Sequence, residues 1–256
     1  MSRQSQLQAV RARIAAIEAG EAGAFGVLPF GDERIDGVFP GGGLPRGRWH
    51  EAVGEGLEAE TGAAAAAFIA ALIQPLARQG AVVWVMRRDD LYAPGLAGLG
   101  FPAERLIQVL AKDEAEALSA LEDALGTAGV SAAIGEAEGA DLTAGRRLQL
   151  ACERRGATGF LIRRRPFGGA GSRGGAGALS GSLCTTRWRI ASAPSEPEPG
   201  QPGLGPPRWR VALERCRGGR TGEWLMEKND GAHPLRLVAD LVDRELAPAQ
   251  PVRLAG

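Results

Sequence analysis

The chain has 256 residues, about 45% of them hydrophobic, with 30 basic and 30 acidic side chains. That length suits one larger domain or one domain with an appendage, and the absence of any run of 18 apolar residues argues against a membrane span. The zero net charge hides a polarity. Residues 1–145 carry 11 Lys/Arg against 20 Asp/Glu, whereas residues 146–225 carry 15 against 5, all fifteen being arginine. Such segregation points to nucleic acid or an acidic partner. A GC-rich genome explains 28 arginines to 2 lysines, but not their separation along the chain.

The first twenty residues lack the uninterrupted apolar core of a signal peptide. Residues 5–20 predict an amphipathic helix with Leu7, Val10, Ile14 and Ile17 on one stripe, stopped by Gly20; residues 1–24 are therefore set apart as an N-terminal helix. Residues 25–40 read as loop with a short strand or turn of helix. Cys152, Cys184 and Cys216 are odd in number and widely spaced, so neither a disulfide framework nor a zinc site is expected, and a cytoplasmic location is. His50 and His233 are poor ligand candidates, His50 reading as a packed strand residue.

The organising stretch is GGGLPRGRWHEAVGEGLEAETGAAAAAFIAAL, residues 41–72. It predicts a Gly/Pro turn, a strand over 48–53, a loop opened by Gly54, and an Ala-rich helix after Thr61. Strand, Gly-loop and helix with a hydroxyl at the loop's end is the layout of the phosphate-binding G-x-x-x-x-G-K-[ST] loop. Gly54 and Thr61 fit that pattern. Ala59 stands where the second glycine belongs, and Glu60 where the lysine belongs. A cation about 4 Å from a phosphate gains roughly 4 kcal/mol at an effective dielectric near 20, and an anion loses about as much. Nucleotide sites of millimolar to micromolar affinity hold only about 4 to 8 kcal/mol. ATP binding and hydrolysis are therefore not expected, and no cofactor or metal is. A plain strand-to-helix turn is the competing reading of this loop.

Beyond Gly80, AVVWVM (81–86) suits a buried parallel strand. It ends in Arg87, Arg88, Asp89 and Asp90, where open α/β sheets place ligands; a remodelled rim and a solvated strand exit both fit. A short helix (92–99), a strand (106–109) and a helix (113–126) follow, the last with Asp113 as N-cap and Glu116 completing a capping box. VSAAIGE (130–136) is another buried strand, ending in Gly135 and Glu136. A helix over 141–155, capped by Asp141 or Thr143, precedes the strand TGFLIRR (158–164). Repeated strand–helix alternation means βαβ units and a mostly parallel sheet.

Residues 166–182 (PFGGAGSRGGAGALSGS) and 194–207 are Gly-, Ser- and Pro-rich connectors unable to bury enough surface to order themselves. TTRWRIAS (185–192) is a strand. RWRVALERCR and GEWLMEKND, joined at Gly218–Thr221, predict an antiparallel hairpin on the sheet edge. HPLRLVADLVDREL (233–246) predicts a helix with Leu235, Val238, Leu241 and Val242 on one side, so residues 232–256 are read as C-terminal helix and tail, leaving 25–231 as the core.

Taken together, the chain resembles RecA-type recombinase cores, specifically the ImuA family of degenerate RecA-like proteins also called SulA-like. GGGLPRGRWHEAVG is similar to the turn and first core strand of RecA, LGFPAERLI to the segment after its second core strand, and SGSLCTTRWRI to the end of its second DNA-binding loop and the following strand. ADLTAGRRLQLACERRGATGFLIR and the hairpin resemble ImuA sequences themselves. The resemblance implies an α/β RecA-like core with helices on both faces of a mostly parallel sheet. Arg87 and Arg88 stand where RecA carries its catalytic glutamate, and Gly135–Glu136 where a magnesium-binding aspartate would end its strand.

For function, the resemblance implies a non-catalytic accessory role in damage-induced translesion synthesis and mutagenesis. The implied partners are an ImuB-type Y-family polymerase homologue and an error-prone replicative-type polymerase, with RecA and single-stranded DNA as further candidates. Arg163, Arg164, Arg165 and Arg173 flank or occupy the position of RecA's single-strand-binding loop and are the expected phosphate contacts, a solvated basic loop being the alternative. Leu235, Val238, Leu241 and Val242 are the expected partner-binding face. An ATP-dependent recombination protein and a SulA-type division inhibitor are the competing functional classes.

Overall fold

The computed structural model describes residues 25–55, 58–164, 182–197, 200 and 202–241, with backbone alone over 58–62. The predicted N-terminal helix, the loop carrying Arg165 and Arg173, and Val242 with the residues after it lie outside that description.

Nine strands form one sheet. In chain order they are β3 (Trp49–Gly54), β4 (Ala81–Met86), β5 (Leu106–Leu110), β6 (Val130–Ala137), β7 (Thr158–Arg163), β8 (Thr186–Ala193), β9 (Arg208–Cys216), β10 (Gly222–Lys228) and β11 (Leu235–Asp240); β1 (Val27–Leu28) and β2 (Leu44–Pro45) pair separately. Across the sheet the order is β11-β10-β9-β8-β3-β7-β6-β4-β5. From β8 to β5 every pairing is parallel, and from β8 to β11 every pairing is antiparallel. The expected sheet and hairpin are both present.

Both faces of the parallel half are covered, as its apolar strands require. One core joins Ala52, Trp84, Ile134, Phe160, Ile162 and Trp188 to α2 (Glu58–Leu72) and the N-terminal segment around Phe30 and Phe39. From Ala64 onward α2 is buried almost all round; its run of alanines lets it press against the sheet while Phe68 and Ile69 fill the gaps. The opposite core joins Trp49, Val83, Val85, Ala133 and Leu161 to α5 (Glu114–Gly126) and α6 (Leu142–Arg155). The short helices α1 (Glu33–Asp36), α3 (Gln74–Ala77) and α4 (Ala93–Gly98) and a 3-10 turn at Ala103–Arg105 complete the described elements.

The caps follow the sequence. Asp113 accepts from the Glu116 N–H at 2.9 Å, and Glu116 reaches back to the Lys112 N–H at 2.7 Å. Asp141, rather than Thr143, caps α6 by accepting from Ala144 N–H at 2.7 Å, and Gly156 ends α6 with a left-handed φ of 77°.

One expectation fails. Residues 235–240 are not helix: β11 pairs antiparallel with β10 as the outermost strand, so the core runs through Asp240 instead of stopping at 231. Leu235 is buried, Arg236 exposed and Leu237 half-buried. That period of two meets an open edge of β10, and the tertiary pairing outweighs the helical spacing of Leu235, Val238 and Leu241.

Candidate functional site

Open α/β sheets bind ligands beyond the carboxyl ends of their strands, and every sequence-predicted nucleotide-site residue sits there. β3 delivers Gly54, directly paired with Ile190 of β8. Glu55 donates its N–H to the Ile190 carbonyl at 2.9 Å, and its carboxylate accepts from Arg189 and Arg210, each at 3.0 Å. The start of the loop is therefore tied down to β8 and β9. The helix begins at Glu58, three residues before the sequence expectation, so Ala59, Glu60 and Thr61 fall in its first turn. Alanine and glutamate favour helix, and acidic residues suit the positive end of the helix dipole. The two departures from the phosphate-loop pattern thus extend the helix.

On the same face as α2, adjacent strands converge on Glu136, 3% exposed. Its Oε2 lies 2.6 Å from Arg164 Nη1, and its Oε1 accepts from the Trp84 indole at 2.8 Å. Arg164 also holds Asp90 through two hydrogen bonds of 3.2 and 3.0 Å, and Asp90 lies 3.6 Å from Arg88. Burial pushes the Glu136 carboxyl above its ordinary range, against the pull of Arg164 and Trp84. A carboxylate at the end of this strand, where the RecA resemblance expects a magnesium-binding aspartate, is thus committed to a protein cation.

The opposite face holds a cleft of about 820 Å³ between the N-termini of α5 and α6 and the ends of β3, β7 and β8. At its floor, buried Glu51 lies 3.0 Å from Arg187 Nε and 3.5 Å from Arg163 Nε. Arg163 also donates to the Glu138 carbonyl at 2.9 Å. Arg87 pairs with Glu114 at 3.2 Å and sits 3.9 Å from Glu138. Glu114 in turn accepts from the Glu138 and Gly139 N–H groups.

Of the four arginines read as phosphate contacts, Arg163 and Arg164 are therefore turned inward onto carboxylates on opposite faces of the sheet, while Arg165 and Arg173 lie outside the described residues. The presumed partner face is not one face. Leu235 is buried, Val238 is 39% exposed on the edge strand, Leu241 follows that strand, and Val242 is outside the description.

Glu51 was the residue hardest to find by sequence; its one signal is a lone carboxylate in the otherwise uncharged strand WHEAVG. His50 is fully buried, its Nε2 3.0 Å from the Pro45 carbonyl and its Nδ1 2.8 Å from the Thr186 hydroxyl, which itself accepts from Trp188. Burial pushes it down to about 3. The same cause pushes Cys152 up to about 12 and Cys216 up to about 11, and raises Cys184. These thiols stay protonated and unreactive near neutrality. Among the described residues no trio of His, Cys, Asp or Glu is placed to hold a metal ion, and no helix is long and apolar enough to cross a membrane.

No family model matches the chain. Two curated relatives, each named Protein ImuA and from two strains of Caulobacter vibrioides, are 60% identical over 245 residues, 94% of this chain and all of theirs. Among solved structures, the crystal structure of the RadB recombinase matches with a TM-score of 0.53 at 15% identity, covering 82% of this chain and 98% of that one. At that identity the likeness carries the RecA-like fold alone.

Proposed function

Because this chain belongs to the ImuA family, we propose that it is a non-catalytic RecA-like accessory factor of damage-induced translesion synthesis. In this reading it acts beside an ImuB-type Y-family polymerase homologue and an error-prone replicative-type polymerase, and contacts the single-stranded DNA they copy. The observation that carries the non-catalytic part is the Arg164–Glu136 pair at 2.6 Å. It puts a fixed cation on a carboxylate that a nucleotide-bound metal would need free, in a chain whose loop already carries Glu60 in place of lysine. Arg87 and Arg88 support the same reading, both being drawn toward neighbouring carboxylates at the end of β4.

Two measurements test it. Titration calorimetry of the purified chain with ATP and magnesium is expected to give no binding in the micromolar range and no turnover. Micromolar affinity with hydrolysis would revive the recombination ATPase. Capture of the chain from DNA-damaged cells is expected to bring down the ImuB-type protein; its absence, with a division protein recovered instead, would favour the SulA-type class.

A further inference from the structure

Fifteen arginines between residues 146 and 225 give the chain its charge polarity, and the fold consumes many of them. Arg163, Arg164, Arg187, Arg189, Arg208 and Arg210 all pair with carboxylates along the sheet. Among the described residues, four of the others gather on α6, where Arg146, Arg147, Arg154 and Arg155 are exposed. Arg147 shares a contact of 2.5 Å with Glu122 of α5; Arg146, Arg154 and Arg155 make no ion pair with a described residue. The nearby Glu153 does not offset them, since it is held by Arg48 and by Gln149 at 2.8 Å.

We infer that the outer face of α6 is a docking surface for the phosphate backbone of single-stranded DNA, a placement that rests on the DNA-contact part of the function proposed above. Arg146, Arg154 and Arg147 fall within about 100° of the helix circumference and span about 12 Å along its axis, so a strand laid along that face meets all three, while Arg155 extends the basic surface round the C-terminal end of α6. Leu150, 45% exposed between them, offers apolar surface to a sugar or base. The face lacks aromatic side chains for stacking and groups set in a fixed pattern for reading base edges. Binding is therefore electrostatic, indifferent to sequence and steeply dependent on salt.

The test is fluorescence anisotropy of dye-labelled oligo(dT) with the full chain, from 50 to 200 mM salt. For R146Q/R147Q/R154Q/R155Q the log–log salt slope is expected to shrink by about 2 to 3, at about 0.7 per single-strand phosphate contact, and affinity at the lowest salt to fall about tenfold or more. Glu122→Gln, which frees Arg147, is expected to tighten binding about twofold. If the wild-type chain does not bind oligo(dT), the DNA-contact reading itself fails and this placement with it. If the wild type binds and the quadruple variant keeps its slope at unchanged thermal stability, only the placement fails. Loss of the slope in R165Q/R173Q instead, or poly-glutamate binding as tightly as oligo(dT), also overturns it.

Discussion

Arg164 Nη1 and Glu136 Oε2, at the ends of adjacent strands β7 and β6, lie 2.6 Å apart with side-chain exposures of 13% and 3%. Removing one partner of such a buried pair strands the other charge away from water. Arg164→Ala should therefore cost about 3 to 5 kcal/mol in urea-induced unfolding. Adding Glu136→Gln should recover most of the loss, because a neutral amide can still accept from Trp84. If the double variant is no more stable than Arg164→Ala, the pair is not what organises this corner of the sheet.

The same corner separates nucleotide binding from hydrolysis. In the A59G/E60K chain the loop regains its consensus, and the charge change is worth up to several kcal/mol of phosphate attraction. Binding of ATP should improve accordingly. Turnover should stay at background, since Glu136 remains committed to Arg164 and β4 still ends in arginines. A coupled phosphate-release assay showing hydrolysis in this variant would contradict the reading of a retired ATPase.

Much of the fold was legible because its signals are local. AVVWVM and VSAAIGE announce buried strands by composition, Asp113 with Glu116 announces a helix start, and Gly218–Thr221 announces a hairpin. What stayed hidden depends on neighbours distant in sequence. Leu235–Asp240 carries both a helical and a strand period, and only the open edge of β10 decides between them. The destinations of the arginines were hidden for the same reason: Arg163 meets Glu51 and Arg164 meets Glu136, pairings that span 112 and 28 positions and depend on strand order. Charge counting found the surplus but not which arginines carry it, since it cannot subtract those neutralised inside the sheet.

His50 gives the stability a pH dependence of known sign. Folded, it is held at about 3 against its ordinary value of 6.5, so between those values the unfolded chain binds a proton that the folded chain refuses. Its contribution is fully present above about pH 6.5 and is lost as pH falls toward 3, at up to about 1.4 kcal/mol per pH unit. Glu136, raised by burial, works the other way and adds stability as pH falls. In His50→Gln, unfolding free energies measured from pH 7 to pH 4 should fall less steeply than in the wild type, even if the variant is less stable at pH 7. Parallel curves would show that His50 already titrates in the folded state.

The edge strand determines how the C-terminal region has to be dissected. A chain cut after Asp230 loses β11, and with it the buried Leu235 and the ion pair between Arg236 and Glu227. Loss of a partner by that chain would report an opened sheet edge rather than a missing contact surface. A cut after Leu241 keeps the whole of β11 and, just beyond it, the Leu241 N–H donated to the Glu223 carbonyl at 2.9 Å. The shorter chain should unfold at clearly lower temperature than the wild type, and the longer one should melt close to it. Within the strand, Leu235→Ala should cost about 2 to 4 kcal/mol, whereas exposed Val238→Ala should stay within about 0.5 kcal/mol. If the chain ending at Leu241 keeps its melting temperature but no longer captures the ImuB-type protein, residues 242–256 carry that contact; if capture persists, the contact lies in the sheet and helices before them.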